Sequence, residues 1–216
     1  MMNPSRHIVI EGPIGVGKTS LARRLAASFN SDLLLEQAEE NPFLPRFYSH
    51  PREAALPTQL FFLFQRVRQL EQMRQADMFA PVRVADFLLE KDRLFARLNL
   101  DAHELDLYEQ VWANLQPDLV VPDLVVYLQA PADVLLERVA RRGIGYEQSV
   151  SRRYLERLLQ AYAGFFHDYD AAPLLIVNTA NIDPISNELD YAQLFDAIQR
   201  IRHGRHFFNP VANLGT

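Results

Sequence analysis

Five short runs of the chain are almost wholly apolar: residues 8–10, 33–35, 82–85, 124–128 and 174–177. They are rich in Val, Ile and Leu and barely alternate with polar residues. That is the pattern of strands covered on both faces within a parallel sheet. Between them apolar residues recur at helical spacing. Residues 18–29 place Leu21, Leu25 and Phe29 on one face, and residues 58–75 carry Leu60, Leu63, Phe64, Val67 and Leu70. Segments 101–115, 132–141, 151–166 and 188–202 complete the helices. Strand and helix alternate throughout, which predicts an α/β fold: a doubly wound three-layer α/β/α arrangement around a five-stranded parallel sheet. Pro42, Pro45, Pro51 and Pro57 punctuate the passage from the second strand to the long helix. Gly143-Ile144-Gly145 interrupts a helical pattern and reads as a mobile lid loop. Residues 1–205 are expected to form one domain and residues 206–216 a frayed tail.

Composition narrows the classes. A chain of 216 residues with 49% apolar content can bury a sizeable core, so disorder is excluded. There is no cysteine, which removes disulfides and thiolate metal sites. Residues 1–6 lack the apolar core of a signal peptide, and no apolar run reaches bilayer-spanning length. The expectation is a cytoplasmic protein with no membrane partner. A net charge of −5 argues against a nucleic-acid polymer as partner. The arginines cluster near 138–153 and 200–205, which suits a small anionic ligand or simply a solvated helix face. The only lysines are Lys18 and Lys91.

Lys18 lies in the one motif of high specificity. After the first strand the chain reads Gly12-Pro13-Ile14-Gly15-Val16-Gly17-Lys18-Thr19-Ser20, the full G-x-x-x-x-G-K-[ST] pattern in its required place. The glycines let the backbone turn tightly around an oligophosphate with its N–H groups inward. Lys18 reaches the terminal phosphates, Thr19 holds magnesium, and the following helix points its positive end at the same anion.

In an open parallel sheet, ligands sit beyond the carboxyl ends of the strands. Glu36 follows the second strand and Asp86 the third, so both face the crevice that holds Lys18. A carboxylate there can take a proton from an attacking hydroxyl or hold magnesium. Arg138 and Arg142 are four residues apart, share a helix face, and could close over a triphosphate. His7, His50, His103, His167, His203 and His206 show no metal-ligand spacing.

Together these residues resemble the bacterial deoxynucleoside kinases, the deoxyadenosine and deoxyguanosine kinase group with the thymidylate-kinase-like fold. The similarity spans residues 7–177. It rests on the phosphate loop, on Glu36-Gln-Ala-Glu-Glu-Asn-Pro-Phe43, and on the arginine-rich lid. The resemblance implies that Glu36 is the general base, that Tyr48 and Glu147 bind the sugar 3′-hydroxyl, and that Gln59 reads the base. It places Arg66 further along the same helix, and Asp86 and Phe87 in the acidic motif beside the substrate. It implies ATP with Mg2+, the latter at Thr19 and Asp86, and a deoxynucleoside acceptor, purine before pyrimidine. Lys18, Arg138 and Arg142 stabilise the moving phosphoryl group. The sequence departs from the pattern twice. Phe87 stands where an arginine is expected, with Lys91 as a replacement charge, and Ile144 stands where many relatives carry a further lid arginine. The helix 58–75, apolar on more than one face, suggests a homodimer. A nucleoside monophosphate kinase is the nearest alternative, but it needs arginines where this chain has Glu36. A nucleotide-dependent switch is a more distant one, since Ala85-Asp86-Phe87-Leu88 lacks the D-x-x-G glycine.

Overall fold

The computed structural model describes residues 6–75, 82–115 and 120–209, with the side chains of residues 74 and 75 left aside. Six parallel strands form one sheet in the order β2-β3-β1-β4-β5-β6. They are β1 (Arg6–Glu11), β2 (Asp32–Leu34), β3 (Val82–Ala85), β4 (Leu124–Gln129), β5 (Leu174–Asn178) and β6 (Arg205–Phe208). The helices are α1 (Lys18–Phe29), α2 (Leu44–Ser49), α3 (Pro51–Gln75), α4 (Lys91–Asn99), α5 (Ala102–Leu115), α6 (Ala132–Arg142), α7 (Arg152–Asp168) and α8 (Glu188–Arg200). The five apolar runs are all strands, and β1 and β4 at the centre are the most deeply buried.

The sheet has one strand more than expected. Residues 205–208, most of them assigned to a frayed tail, pair with β5 along the edge. The strand escapes an apolar-run criterion because it begins Arg-His and leaves Phe207 67% exposed. Residues 210–216 lie outside the described residues. The long helix also differs. It starts at Pro51 rather than at 58 and runs through Pro57. A proline inside a helix removes one backbone hydrogen bond, yet Ala54 and Ala55 are fully packed there, against α2. That burial offsets the break. Helix α2 has no counterpart in the sequence reading. No helix among the described residues is long and apolar enough to cross a membrane.

The core lies on both sides of the sheet. On one side an aromatic column crosses from strand to helix: Tyr127 of β4 stacks on Phe166 of α7 at 4.1 Å and on Tyr162 at 5.9 Å. A second apolar cluster joins α3, α4 and α5 around Leu63, Leu70, Phe87 and Tyr108.

His7 on β1 gives the fold a pH dependence. Both ring nitrogens are buried without a hydrogen-bond partner. Burial, with help from Arg83 and against the pull of Asp123, lowers its pKa from 6.5 to about 4. Below pH 6.5 the unfolded chain takes up a proton that the folded chain refuses until about pH 4. Stability should therefore fall as pH drops through that window, by up to about 3 kcal/mol. Urea unfolding at pH 7 and pH 5 tests this. His7→Leu should flatten the difference, and an unchanged slope in that variant would assign the loss to other groups.

Candidate active site

The carboxyl ends of the strands open onto a cleft of about 1510 Å³. Its floor is the phosphate loop. Gly12 has φ 149°, and a Cβ there would stand 2.5 Å from the Leu128 carbonyl oxygen of β4. At Gly15, with φ 80°, a Cβ would meet the Leu135 carbonyl of α6 at 2.9 Å. These glycines are needed for the loop to lie against its own fold, as well as for its turn. Gly17 precedes α1 in the left-handed conformation, so the helix opens with its N-terminus at the cleft. Lys18 is folded onto the loop and donates from Nζ to the carbonyls of Gly12 (2.7 Å) and Pro13 (3.2 Å). Burial, and after it the nearby Lys91, lowers its pKa.

Thr19 donates to Asp86, Oγ1 to Oδ2, at 2.5 Å. The other Asp86 oxygen accepts the backbone N–H of Glu36 at 2.7 Å. Burial raises the Asp86 pKa, against the Thr19 and Glu36 hydrogen bonds. A hydroxyl and a carboxylate side by side are the hard oxygen donors that suit Mg2+. Among the described residues no cluster of three or more His, Asp or Glu could hold a metal without other ligands. The pair therefore fits an ion that takes its remaining oxygens from phosphates and water.

Glu36 is held through both main chain and side chain. Its main chain is clamped to α3: Gln69 Nε2 donates to the Leu35 carbonyl at 2.9 Å, and Gln65 Nε2 to the Gln37 carbonyl at 3.2 Å. Its carboxylate accepts two hydrogen bonds from Arg66, one of them from Nε at 2.9 Å, and faces Lys91 Nζ at 3.3 Å. Burial alone would raise its pKa, but Arg66 and Lys91 outweigh it and hold the group at about 2. Arg66 also pairs with the wholly buried Asp92 at 2.8 Å.

Further out, Gln59 and Tyr48 line the same cleft. Gln59 is 3% exposed and its Oε1 has no partner. Tyr48 stacks on Tyr146 with ring centroids 5.7 Å apart. Burial, then Tyr154 and Glu147, raises its pKa. Beyond α6, which ends at the left-handed Gly143, a short 3-10 turn (Gly145–Ser149) brings Glu147 to the cleft. Glu147 pairs with Arg142. Arg138 donates to the Thr179 hydroxyl (2.9 Å) and carbonyl (2.7 Å) at the end of β5.

The chain matches the family model described as deoxynucleoside kinase over residues 8–202. The chain belongs to the deoxynucleoside kinase family. Among relatives, the deoxyguanosine kinase of Bacillus subtilis (strain 168) is 34% identical over 201 residues, covering 89% of this chain and 96% of that one. The deoxyadenosine kinase of Dictyostelium discoideum is 32% identical over 95% of this chain and 82% of its own length. The solved structure of deoxyadenosine kinase from M. mycoides with bound dATP has the same fold, with a TM-score of 0.77 at 22% identity over 89% of this chain and 99% of that one. The relatives of this kinase family are phosphotransferases by name.

Set against the sequence reading, the structure brings Lys18, Thr19, Glu36, Tyr48, Gln59, Arg66, Asp86, Arg138, Arg142 and Glu147 to one cleft. Gly12 and Pro13 of the loop do not line it, and neither does Phe87. Its side chain is 2% exposed and packs with Leu63, Leu70 and Met73, away from the cleft. The residue after Asp86 turns into the apolar cluster shared by α3, α4 and α5. Lys91 does reach the site. Asp92, Glu11, Gln65, Gln69 and Thr179 were not foreseen. Glu11 ends a strand and precedes the loop, and Glu90-Lys91-Asp92 looks like a solvated helix start. Neither carries a local signal of burial.

Proposed function

We propose that the protein transfers the γ-phosphoryl group of ATP to the 5′-hydroxyl of a deoxynucleoside, with deoxyguanosine and deoxyadenosine preferred and deoxycytidine a secondary acceptor. The observation that carries this is the charge around Glu36. Glu11, Glu36, Asp86 and Asp92 set four carboxylates against the three cations Lys18, Arg66 and Lys91. Arg66 and Lys91 are engaged on carboxylates. A phosphorylated acceptor would be repelled by the ionised Glu36 carboxylate, whose two cations are already paired, whereas a neutral hydroxyl meets an ionised hydrogen-bond acceptor. The purine preference is supported by the names of the relatives, deoxyguanosine and deoxyadenosine kinases.

In this reading Glu36 accepts a hydrogen bond from the 5′-hydroxyl and takes its proton late, as the loose transition state of phosphoryl transfer allows. Its low resting pKa keeps it ionised. The entering triphosphate adds negative charge nearby and engages Lys18, so its proton affinity rises as the reacting groups assemble. Thr19 and Asp86 would hold Mg2+, which supplies charge neutralisation on the phosphates. Lys18 leaves the loop carbonyls for the phosphates, and Arg138 and Arg142 stabilise the transferring group. Tyr48 and Glu147 fix the sugar, Gln59 reads the base through its amide, and the protein works as a homodimer.

Labelled ATP offered with the four deoxynucleosides, their monophosphates and adenosine tests the reading. Transfer to deoxynucleosides supports it, and transfer to monophosphates alone overturns it. Within the same assay, Gln59→Leu should raise the deoxynucleoside KM by about 5- to 150-fold, the effect of losing about 1–3 kcal/mol at a buried polar partner. An unchanged KM and base preference would move the base pocket elsewhere.

A further inference from the structure

Lys91 lies between two carboxylates. Its Nζ is 3.3 Å from Glu36 Oε1 and 3.5 Å from Glu11 Oε2, and its side chain is 3% exposed. Glu11 is wholly buried and anchored on three sides. Oε1 accepts from the Gly12 N–H at 2.8 Å and from the Tyr162 hydroxyl at 3.0 Å, and Oε2 accepts from the Leu88 N–H at 2.9 Å. All three donors are neutral; among the described residues Lys91 is the cation in ion-pair contact with this buried charge, and Lys18 acts on it from further away. On the far side of Glu36, Arg66 bridges to Asp92. Five charges therefore alternate in a row: Glu11, Lys91, Glu36, Arg66, Asp92. The middle one is the carboxylate assigned to the acceptor hydroxyl.

We propose that Lys91 is a positioning residue that fixes Glu36 relative to the phosphate loop, with Glu11 as its anchor. Glu11 holds the N–H of Gly12, the first residue of the loop. One ammonium group thus ties the loop that carries the donor phosphates to the carboxylate that receives the acceptor. Phosphoryl transfer depends on in-line placement of these two partners. A lysine suits the place because its compact charge faces two oxygens on different elements at similar distances. This role rests on the deoxynucleoside kinase reading of the site.

Four variants test it: Lys91→Met, Lys91→Arg, Glu11→Gln and the Lys91→Met/Glu11→Gln double. Each is compared with the native protein on the acceptor that the native protein turns over best. Lys91→Met should lower kcat about 100-fold, as a displaced reacting group does, with both KM values within about threefold. Lys91→Arg should recover part of that loss. Glu11→Gln should lower kcat by less than Lys91→Met, and the double variant should fall no further than Lys91→Met, because Glu11 acts through Lys91. A Lys91→Met kcat within about threefold of native, or losses that multiply in the double variant, would overturn the role. If Lys91→Met does not fold because Glu11 is left unpaired, the double variant removes both charges and carries the measurement. A native kcat in it would overturn the proposal too. A native protein that phosphorylates no deoxynucleoside sinks the substrate reading, whereas an active native protein indifferent to Lys91→Met sinks only this inference.

Discussion

Glu36→Gln is expected to lower kcat by about a hundred- to ten-thousand-fold while triphosphate binding stays close to native. Glutamine keeps the shape of the side chain, and its carbonyl can still accept the Arg66 Nε hydrogen bond now at 2.9 Å. What it loses is the negative charge and the ability to take a proton. In the proposed function the triphosphate is held by other elements: the loop backbone, Lys18 and the lid arginines. The loss should therefore appear in turnover at saturating acceptor and not in donor affinity. Initial rates with ATP, beside titration of a fluorescent ATP analogue, separate the two. A variant that turns over within a few-fold of native would show that no carboxylate is needed at position 36. A variant that fails to bind the triphosphate would show that Glu36 shapes the loop rather than the chemistry. The change in charge has a second consequence. With Glu36 neutral, Lys91 still faces Glu11, and Arg66 still faces Asp92. Both cations keep a partner, so the fold should survive the substitution and the kinetic result can be read directly.

The phosphate loop was legible because its chemistry is local: nine consecutive residues contain the turn, the cation and the hydroxyl. The strands were legible because burial on both faces leaves long apolar runs. Glu36 and Asp86 could be placed from strand ends alone, since every parallel strand delivers its next residue to the same edge. Other features depend on tertiary neighbours. Phe87 follows Asp86 directly, yet it packs into the cluster with Leu63 and Met73 because α4 begins there. Lys91 and Asp92 look solvated in a Glu-Lys-Asp run and are 2% and 0% exposed in the fold. Their burial is possible only because Glu11, Glu36 and Arg66, from three other segments, supply opposite charges. Pro57 reads as a helix breaker, and the long helix passes through it because its first turns bury Ala54 and Ala55. The edge strand β6 hides behind exposed residues, as a strand with one covered side can.

Arg66→Met should separate stability from catalysis. Arg66 is 3% exposed and serves two carboxylates: Glu36, and Asp92 at 2.8 Å. Removing it leaves Asp92 fully buried without its ion-pair partner, with only the more distant Lys91 acting on it among the described residues. Breaking a buried pair from one side costs about 3–5 kcal/mol. For a chain of this length that should lower Tm by about 6–20 °C. Replacing both partners with apolar groups avoids the stranded charge, so Arg66→Met/Asp92→Leu should regain most of the stability. Turnover should not return with it. Glu36 would still lack one of the two cations that hold it, and a carboxylate free to rotate is displaced from the acceptor hydroxyl, worth about 100-fold in rate. Thermal unfolding and kcat measured on both variants decide the point. If the double variant recovers turnover together with Tm, Arg66 is a strut for α3 and α4, and Lys91 alone suffices to orient Glu36. If Tm returns and turnover does not, the guanidinium belongs to the chemistry of the site, and its pairing with Asp92 is what allows a cation to be buried there.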